Sequence, residues 1–444
     1  MTAHTGSNTA RAGRARRLVG IDVARCVAVL GMFNVHFGVP IFFGPLSGHV
    51  AHYSSGRSTA LFTLLAGVSL AMLSGRTEPP RGADLQQARL RIAVRALLLI
   101  VVGLVLARVT APTGFLLTVI IPFYGLYFLL CLPFVRLRAR GLAIAAVCAA
   151  VIGPQLSFLL RGLLADTGPL AGVQAAFESV DPAHLFAGEG LFALLLTGFY
   201  PAAAYVPLVL AGMAVGRLDL RNTQVRIRLA LVGLSAAVAA PVTATVLLTA
   251  TNSAAPDDGW GSVPLDNPGG LLGTTPHSGT TLELLGAVGT GLVIVVVCLE
   301  LADRLGSLLH PFAAAGSMAL SLYTAHALVL AWQVVIGGWP MMRVPEDLAE
   351  LARLGPELPK GPLVPGFPAD ASEPDGIVGF VNAWMSELFP IAALVLPVLW
   401  CLLFRRGPLE AAISEGVRAI TARLQPLLPA HRTTGTSNET RQRS

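Results

Sequence analysis

Apolar runs and polar punctuation alternate along this chain, giving ten stretches of about 20 predominantly apolar residues, the length a helix needs to cross a bilayer. They lie at 19–43, 58–74, 92–110, 115–135, 141–160, 191–216, 227–250, 280–300, 311–337 and 382–404. The connections between them alternate in charge. Arg11, Arg14, Arg16 and Arg17 precede the first stretch, Arg76, Arg81, Arg89 and Arg91 follow the second, and Arg136, Arg138 and Arg140 follow the fourth. Arg217, Arg221, Arg226 and Arg228 follow the sixth, Arg304 the eighth, and Arg405 and Arg406 the tenth. The intervening loops hold only Arg57, Arg161, Arg343, Arg353 and Lys360. Because basic residues are retained on the cytoplasmic side, both termini are expected in the cytoplasm.

The pattern therefore predicts an all-α, polytopic integral membrane helix bundle of about ten transmembrane helices in the plasma membrane, with the lipid bilayer as its first partner. It divides into an Arg-rich cytoplasmic tail at 1–18, the bundle at 19–404, and a cytoplasmic segment at 405–444. Long outer loops are expected at 161–190, 251–279 and 338–381, the last flanked by Trp339 and Trp384 as interfacial aromatics. After the bundle, 407–428 reads as an amphipathic helix with Pro408 in its first turn, followed by a disordered tail from His431. Pro122, Pro201, Pro207 and Pro241 fall inside the stretches and should kink them.

Composition excludes a soluble globular protein. Of 444 residues 54% are hydrophobic and 13% charged, half the charged share of an average soluble domain, which is about 25%. The net charge of +6 sits at the ends of apolar runs, so it implies membrane anchoring and no nucleic-acid partner. Cys26, Cys131, Cys148, Cys298 and Cys401 lie in or beside apolar segments without a CxxC pair, so neither a disulfide framework nor a metal site is expected.

Ionisable groups inside the spans carry the candidate chemistry, because each is costly there. Asp22 and Arg25 are i, i+3 on the first span and suited to pairing with each other, or to contact with an anionic cofactor at the cytoplasmic face. His36 lies about 21 Å further along the helix axis and belongs to the outer half. Under this topology His36, His49, His52, His184, His277 and His326 all fall on or near the outer side, leaving His4, His310 and His431 for the cytoplasm. An imidazole titrates near neutral pH and serves as base, nucleophile or proton relay. His36, His49, His52 and His326 are thus the catalytic candidates. Arg57, His277, Ser278, Glu283 and Tyr323 are the polar outer residues available to hold a substrate. Thr280-x-x-Glu283 also reads as a capping box at a helix start, and the Ser317, Ser321, Tyr323, Thr324, His326 stripe reads equally as helix-to-helix glue or as a cavity lining.

The opening segment from Arg17 to Met32, with Asp22, Arg25 and then His36, resembles the first span of the heparan-α-glucosaminide N-acetyltransferase family. Gly56 to Phe62, leading to Leu65-Ala66-Gly67-Val68-Ser69-Leu70, resembles the second span of its bacterial members. Gly316 to Tyr323 with His326, and Arg406-Gly407-Pro408-Leu409-Glu410, are similar to the ending of YeiB-like membrane proteins of unknown function. The resemblance implies transfer of an acetyl group from cytosolic acetyl-CoA to an amine or hydroxyl on the far side, such as a glycan or lipid-linked sugar, with Asp22 and Arg25 toward the donor. It also implies a functional histidine in the loop between the first two spans. Here that loop offers His49 and His52, and His52 is preferred as nearer Gly56. Two departures are Cys26, where a Gly is usual after the Arg, and the long 338–381 loop. A transporter or flippase with proton-relaying histidines is the alternative from another class; the oligomeric state is left open between monomer and homodimer.

Overall fold

The computed structural model describes residues 18–37, 47–256, 261–335, 376–404 and 406–424. The tails, most of the 338–381 loop and Trp339 lie outside the described residues. Among those described, the regular structure is helical throughout. In chain order the α-helices are α1 (Val19–Phe37), α2 (Ser47–Ser54), α3 (Arg57–Leu73), α4 (Gly82–Thr110), α5 (Ile121–Leu130), α6 (Ala139–Leu164), α7 (Val173–Glu178) and α8 (Pro182–Ala187). They continue as α9 (Ala202–Gly216), α10 (Thr223–Ala250), α11 (Thr281–Leu305), α12 (His310–Ser317), α13 (Ala319–Val335), α14 (Gly376–Leu403) and α15 (Pro408–Leu424).

Among the described residues five segments are long and apolar enough to cross a membrane: α1, α4, α6, α10 and the α11–α12 run. The outward faces of α4, α6 and α10 expose Val101, Val105, Val147, Val151, Val238 and Val242, an apolar belt that only lipid or another protein would cover. The shorter apolar helices α3, α5, α9 and α13 are buried between them. Three apolar stretches that read as unbroken spans are discontinuous, among them 311–337, which breaks at Met318 between α12 and α13. Of the other two, the first runs from a 3-10 turn (Ala111–Leu116) through irregular residues 117–120 into α5, with Pro122 in the first turn of the helix. The second runs from a π turn (Ala193–Thr197) through residues 198–200 into α9, with Pro201 at the cap. Pro122, the second residue of α5, and Pro201, at the cap of α9, are therefore helix starters and do not kink a helix interior, because a proline lacks an N–H that the first turn leaves unused anyway. Pro207 and Pro241 do lie inside their helices.

Tight backbone crossings hold the centre. Gly67 of α3 and Gly212 of α9 meet so closely that a Cβ on either would strike the other helix's backbone, at Val209 O or Leu64 O. Gly316 of α12 sits in the same way against Asp22 of α1.

The packing defines two ends. At the basic end, Arg217 follows α9 and donates to Ser74 O and Arg76 O at 2.7 Å each, to Val135 O at 2.7 Å, and to Ser74 Oγ at 3.0 Å. Arg226 of α10 bonds Glu300 and Asp303 of α11 at 3.0 and 2.6 Å. At the opposite end, Arg161 donates to Val263 O at 2.8 Å and Thr281 Oγ1 to Ala150 O at 2.8 Å.

Candidate active site

Helix α1 runs between the two ends and carries polar groups at both. Near the basic end, Arg25 pairs with Asp22 at 2.7 Å and donates to Ser69 Oγ at 2.7 Å, the partnership its i, i+3 spacing allows. Arg89 is used on the Leu132 carbonyl at 3.2 Å.

Toward the other end, His36 of α1 meets His326 of α13, with ring centroids 4.8 Å apart. The Nδ1 of His36 is 2.8 Å from the Met32 carbonyl. A carbonyl only accepts, so Nδ1 carries the hydrogen and Nε2 keeps its lone pair for another proton. His326 is fully buried and walled by Phe33 and Phe37 at 5.1 and 5.3 Å, Tyr323 at 5.8 Å and Phe389 at 6.3 Å. Neither of its ring nitrogens has a hydrogen-bond partner. Buried polar atoms are normally satisfied, and each that is not calls for an explanation. On the same two helices the buried Asn34 and the half-buried Thr324 likewise have inaccessible side-chain atoms without a partner.

A wall of tyrosines extends from this pair. The chain has six tyrosines, and Tyr124, Tyr127, Tyr200, Tyr205 and Tyr323 all converge here. Tyr323 Oη accepts from the Ile120 N–H at 3.1 Å, just where the backbone is unwound before α5. Tyr124 Oη lies 3.1 Å from Thr63 Oγ1. Tyr127 stacks on Tyr205 at 6.3 Å and donates to the Tyr200 carbonyl in the second break. The two broken helices thus present backbone polar groups to the tyrosines, which satisfy them as irregular backbone inside a bundle requires.

Tyr205 Oη in turn lies 3.2 Å from His277 Nδ1. His277 sits in the turn before α11 with φ +61°, a left-handed conformation that costs a non-glycine residue on the order of 1–3 kcal/mol and recurs where a side chain must be aimed. Burial, with the like charge of His36 as a second cause, holds its imidazole down at about 4. The neighbouring Ser278 is buried with its hydroxyl unpartnered. Beside the tyrosines, burial pushes Glu189 up to about 7, and one of its oxygens is also unpartnered. Arg57, the first residue of α3, lines one small crevice with Glu283. Thr280 Oγ1 accepts from the Glu283 N–H at 3.1 Å, so the hydroxyl half of the capping box forms.

The depressed His277 value carries a sign. As pH falls below the unfolded value near 6.5, the unfolded chain takes up a proton before the folded one does. Stability is therefore full above pH about 6.5 and declines toward pH 4. The expected outcome is a melting temperature that drops over that window more in the parent than in His277→Gln, measured by thermal unfolding in detergent.

The structure brings together His36, His326 and Tyr323, and separately links His277 to the same tyrosine wall. His49 is exposed on α2, which packs against α1. His52 also lies on α2, and its side chain is outside the described residues. Asp22 and Arg25 stand at the basic end, well away from His36, His277 and His326. Asp22 lines a cavity of about 610 Å³ there with His310 and Ser317. A second basic-end cavity, of about 880 Å³, is lined by Arg91, Arg95, Arg406 and Arg418. Tyr323 was among the sequence candidates, whereas Tyr124, Tyr127, Tyr200, Tyr205 and Glu189 did not emerge from the sequence. Their signal was the gathering of a scarce residue type beside Pro122 and Pro201, which an apolarity scale hides.

Residues 17–246 match the family model of the heparan-α-glucosaminide N-acetyltransferase catalytic domain. The chain belongs to that family. No curated protein matches it. The acetyltransferase match spans α1 through most of α10 and so contains His36, His49, His52, Arg57, Glu189 and four of the five tyrosines. It stops short of His277, Glu283, Tyr323 and His326, which the remainder of the chain packs against the acetyltransferase part. It also stops short of the C-terminal stretches at 316–323 and 406–410.

Proposed function

We propose that this member of a transmembrane acetyltransferase family takes an acetyl or related acyl group from acyl-CoA at the basic end and passes it to an amine or hydroxyl acceptor at the histidine end. The asymmetry of basic residues supports a cytoplasmic basic end with both termini cytoplasmic, in the plasma membrane. A glycan or lipid-linked sugar is the acceptor class expected on the side away from the cytoplasm.

The observation that carries the reading is the His36–His326 pair. It holds one imidazole nitrogen with a free lone pair beside a second ring whose nitrogens have no protein partner. In the reaction, the acceptor's N–H or O–H gives its proton to an imidazole as the acceptor attacks the thioester carbonyl. The C–S bond breaks, and the departing thiolate takes up a proton to leave as free CoA. His52, at the family's loop position on α2, is the candidate to accept the acyl group first. In that route an N-acyl imidazole forms as the C–S bond breaks, and the acceptor then displaces the imidazole. Tyr323 is the candidate to donate to the oxyanion in surroundings of low dielectric. Its hydroxyl accepts from the Ile120 N–H and gives its own hydrogen only a long 3.5 Å contact to the Thr118 carbonyl. The apolar ring around His326 keeps water from the thioester.

Acid quenching of purified protein after exposure to acetyl-CoA labelled in the acetyl group tests the carrier. Label is expected to stay on the parent and on His49→Ala, and to be lost in His52→Ala. Loss in His49→Ala instead would move the role to that residue, and label on neither parent nor variant would require direct transfer.

A further inference from the structure

The basic-end cavity of about 880 Å³ is walled by α4, the end of α12, the segment after α14 and α15. Its volume falls in the range of small-molecule sites, about 300–1,000 Å³. Arg91 and Arg95 enter from α4, one turn apart, Arg406 from the segment after α14, and Arg418 from α15. Among the described residues no carboxylate pairs with Arg91, Arg95 or Arg406. Arg95 and Arg406 lie close enough to repel one another. Arg418 has only an exposed contact with Glu415 at 3.6 Å, a kind of pair that contributes little and yields readily to a better partner.

The one carboxylate in the lining, Glu410, is already engaged. Its Oε1 accepts from the N–H groups of Leu320 and Ser321 at 2.9 and 3.1 Å, and Oε2 accepts from Ser321 Oγ. Its charge is thus set against the N-terminus of α13 and does not neutralise the arginines. Retention of basic residues on one side of a membrane explains charges that flank spans. It does not explain Arg418, on a helix beyond the last span, turned into the same cavity. Four guanidinium groups line one open cavity, three of them solvent-exposed and so accessible to a ligand, and their planar forks match phosphate oxygens in pairs.

We propose that this cavity seats phosphate esters, namely the diphosphate and phosphate monoester of the acyl-CoA donor, and that α15 completes the site with Arg418. The assignment rests on the acyltransferase reading for the identity of the donor. α15 is outside the family match, which ends at residue 246. It buries Ile413 and Val417 and lies with Gly416 against Leu98 of α4. Through Glu410 it grips the first turn of α13, the helix that carries Tyr323 and His326 further along. A donor held here therefore sits on the element that also positions the histidine.

The test uses the full chain in nanodiscs of neutral lipid, with unacylated coenzyme A as probe and binding measured by calorimetry. Arg95→Gln and Arg418→Gln are each expected to weaken CoA binding at least tenfold with the melting temperature retained. Arg423→Gln, exposed on α15 outside the cavity lining, should bind as the parent does. Affinity should fall steeply with salt. Parent-like CoA binding in both cavity variants would overturn the site while leaving the transferase reading intact, provided the parent turns over acetyl-CoA. A parent that ignores CoA but is stabilised by phosphatidylglycerol, with that stabilisation lost in the two variants, would overturn the donor assignment and make this a lipid-phosphate site.

Discussion

His326→Leu is expected to transfer acetyl groups about a hundredfold or more slowly than the parent while melting at the same or a higher temperature. The rate loss is the range for removing a general acid–base group, about 10²–10⁴. The stability gain follows from the surroundings of the ring. His326 is fully buried among Phe33, Phe37, Tyr323 and Phe389 with both nitrogens unpartnered. A buried polar group without a partner costs about 1–3 kcal/mol, and leucine removes that cost while filling most of the space. A residue retained for packing alone would behave in the opposite way, keeping activity and losing stability. His36→Ala should show a comparable rate loss, since its free Nε2 is the other half of the pair. Turnover by both variants, with thermal unfolding measured on the same preparations, separates the two roles.

Arg217→Ala is expected to be the most destabilising single change at the basic end, by about 3–5 kcal/mol. The guanidinium satisfies carbonyls of Ser74, Arg76 and Val135 and the Ser74 hydroxyl, and makes a longer contact to Ala71 O at 3.3 Å. These groups belong to the end of α3 and to the 3-10 turn Leu132–Arg136 that follows α5, so one side chain ties three segments together. Removing it strands several buried acceptors at about 1–3 kcal/mol each, with water repaying part. Burial pushes the Arg217 guanidinium down to about 10, so it remains charged at neutral pH and suits the negative end of α3. Arg217→Lys should recover only part of the loss, because a single ammonium cannot reach carbonyls in three directions. Denaturation of the detergent-solubilised variants gives the ranking; a parent-like Arg217→Ala would show that water satisfies these carbonyls.

The spans were legible because hydropathy over 20 residues is a strong signal, and each of the ten apolar stretches corresponds to a helix or a broken pair. The breaks were not legible. Residues 115–135 and 191–216 are apolar throughout, and what interrupts them is Pro122 in the first turn of α5 and Pro201 at the cap of α9, together with tyrosines that satisfy the freed backbone. The histidines could be flagged one by one, since each is expensive in an apolar setting. Their pairing could not, because His36 and His326 are brought together only by the packing of α1 on α13. Local spacing did foretell the Asp22–Arg25 pair and the Thr280 cap, both formed within one turn. The arginine cavity was hidden for a different reason: Arg91 and Arg406 read as flanking charges and Arg418 as the polar face of an amphipathic helix, and only the docking of α15 sets them around one space.

Purified protein incubated with acetyl-CoA labelled in the acetyl group, with release of free CoA and the fate of the label followed together, tests the central claim most directly. The account predicts release of CoA with label appearing on the protein, an added amine or hydroxyl acceptor, or water, all sharply reduced in His326→Leu. Intact acetyl-CoA after prolonged incubation with folded protein, alongside movement of an unmodified solute across proteoliposomes, would contradict it and make the broken helices around the tyrosines a transport path.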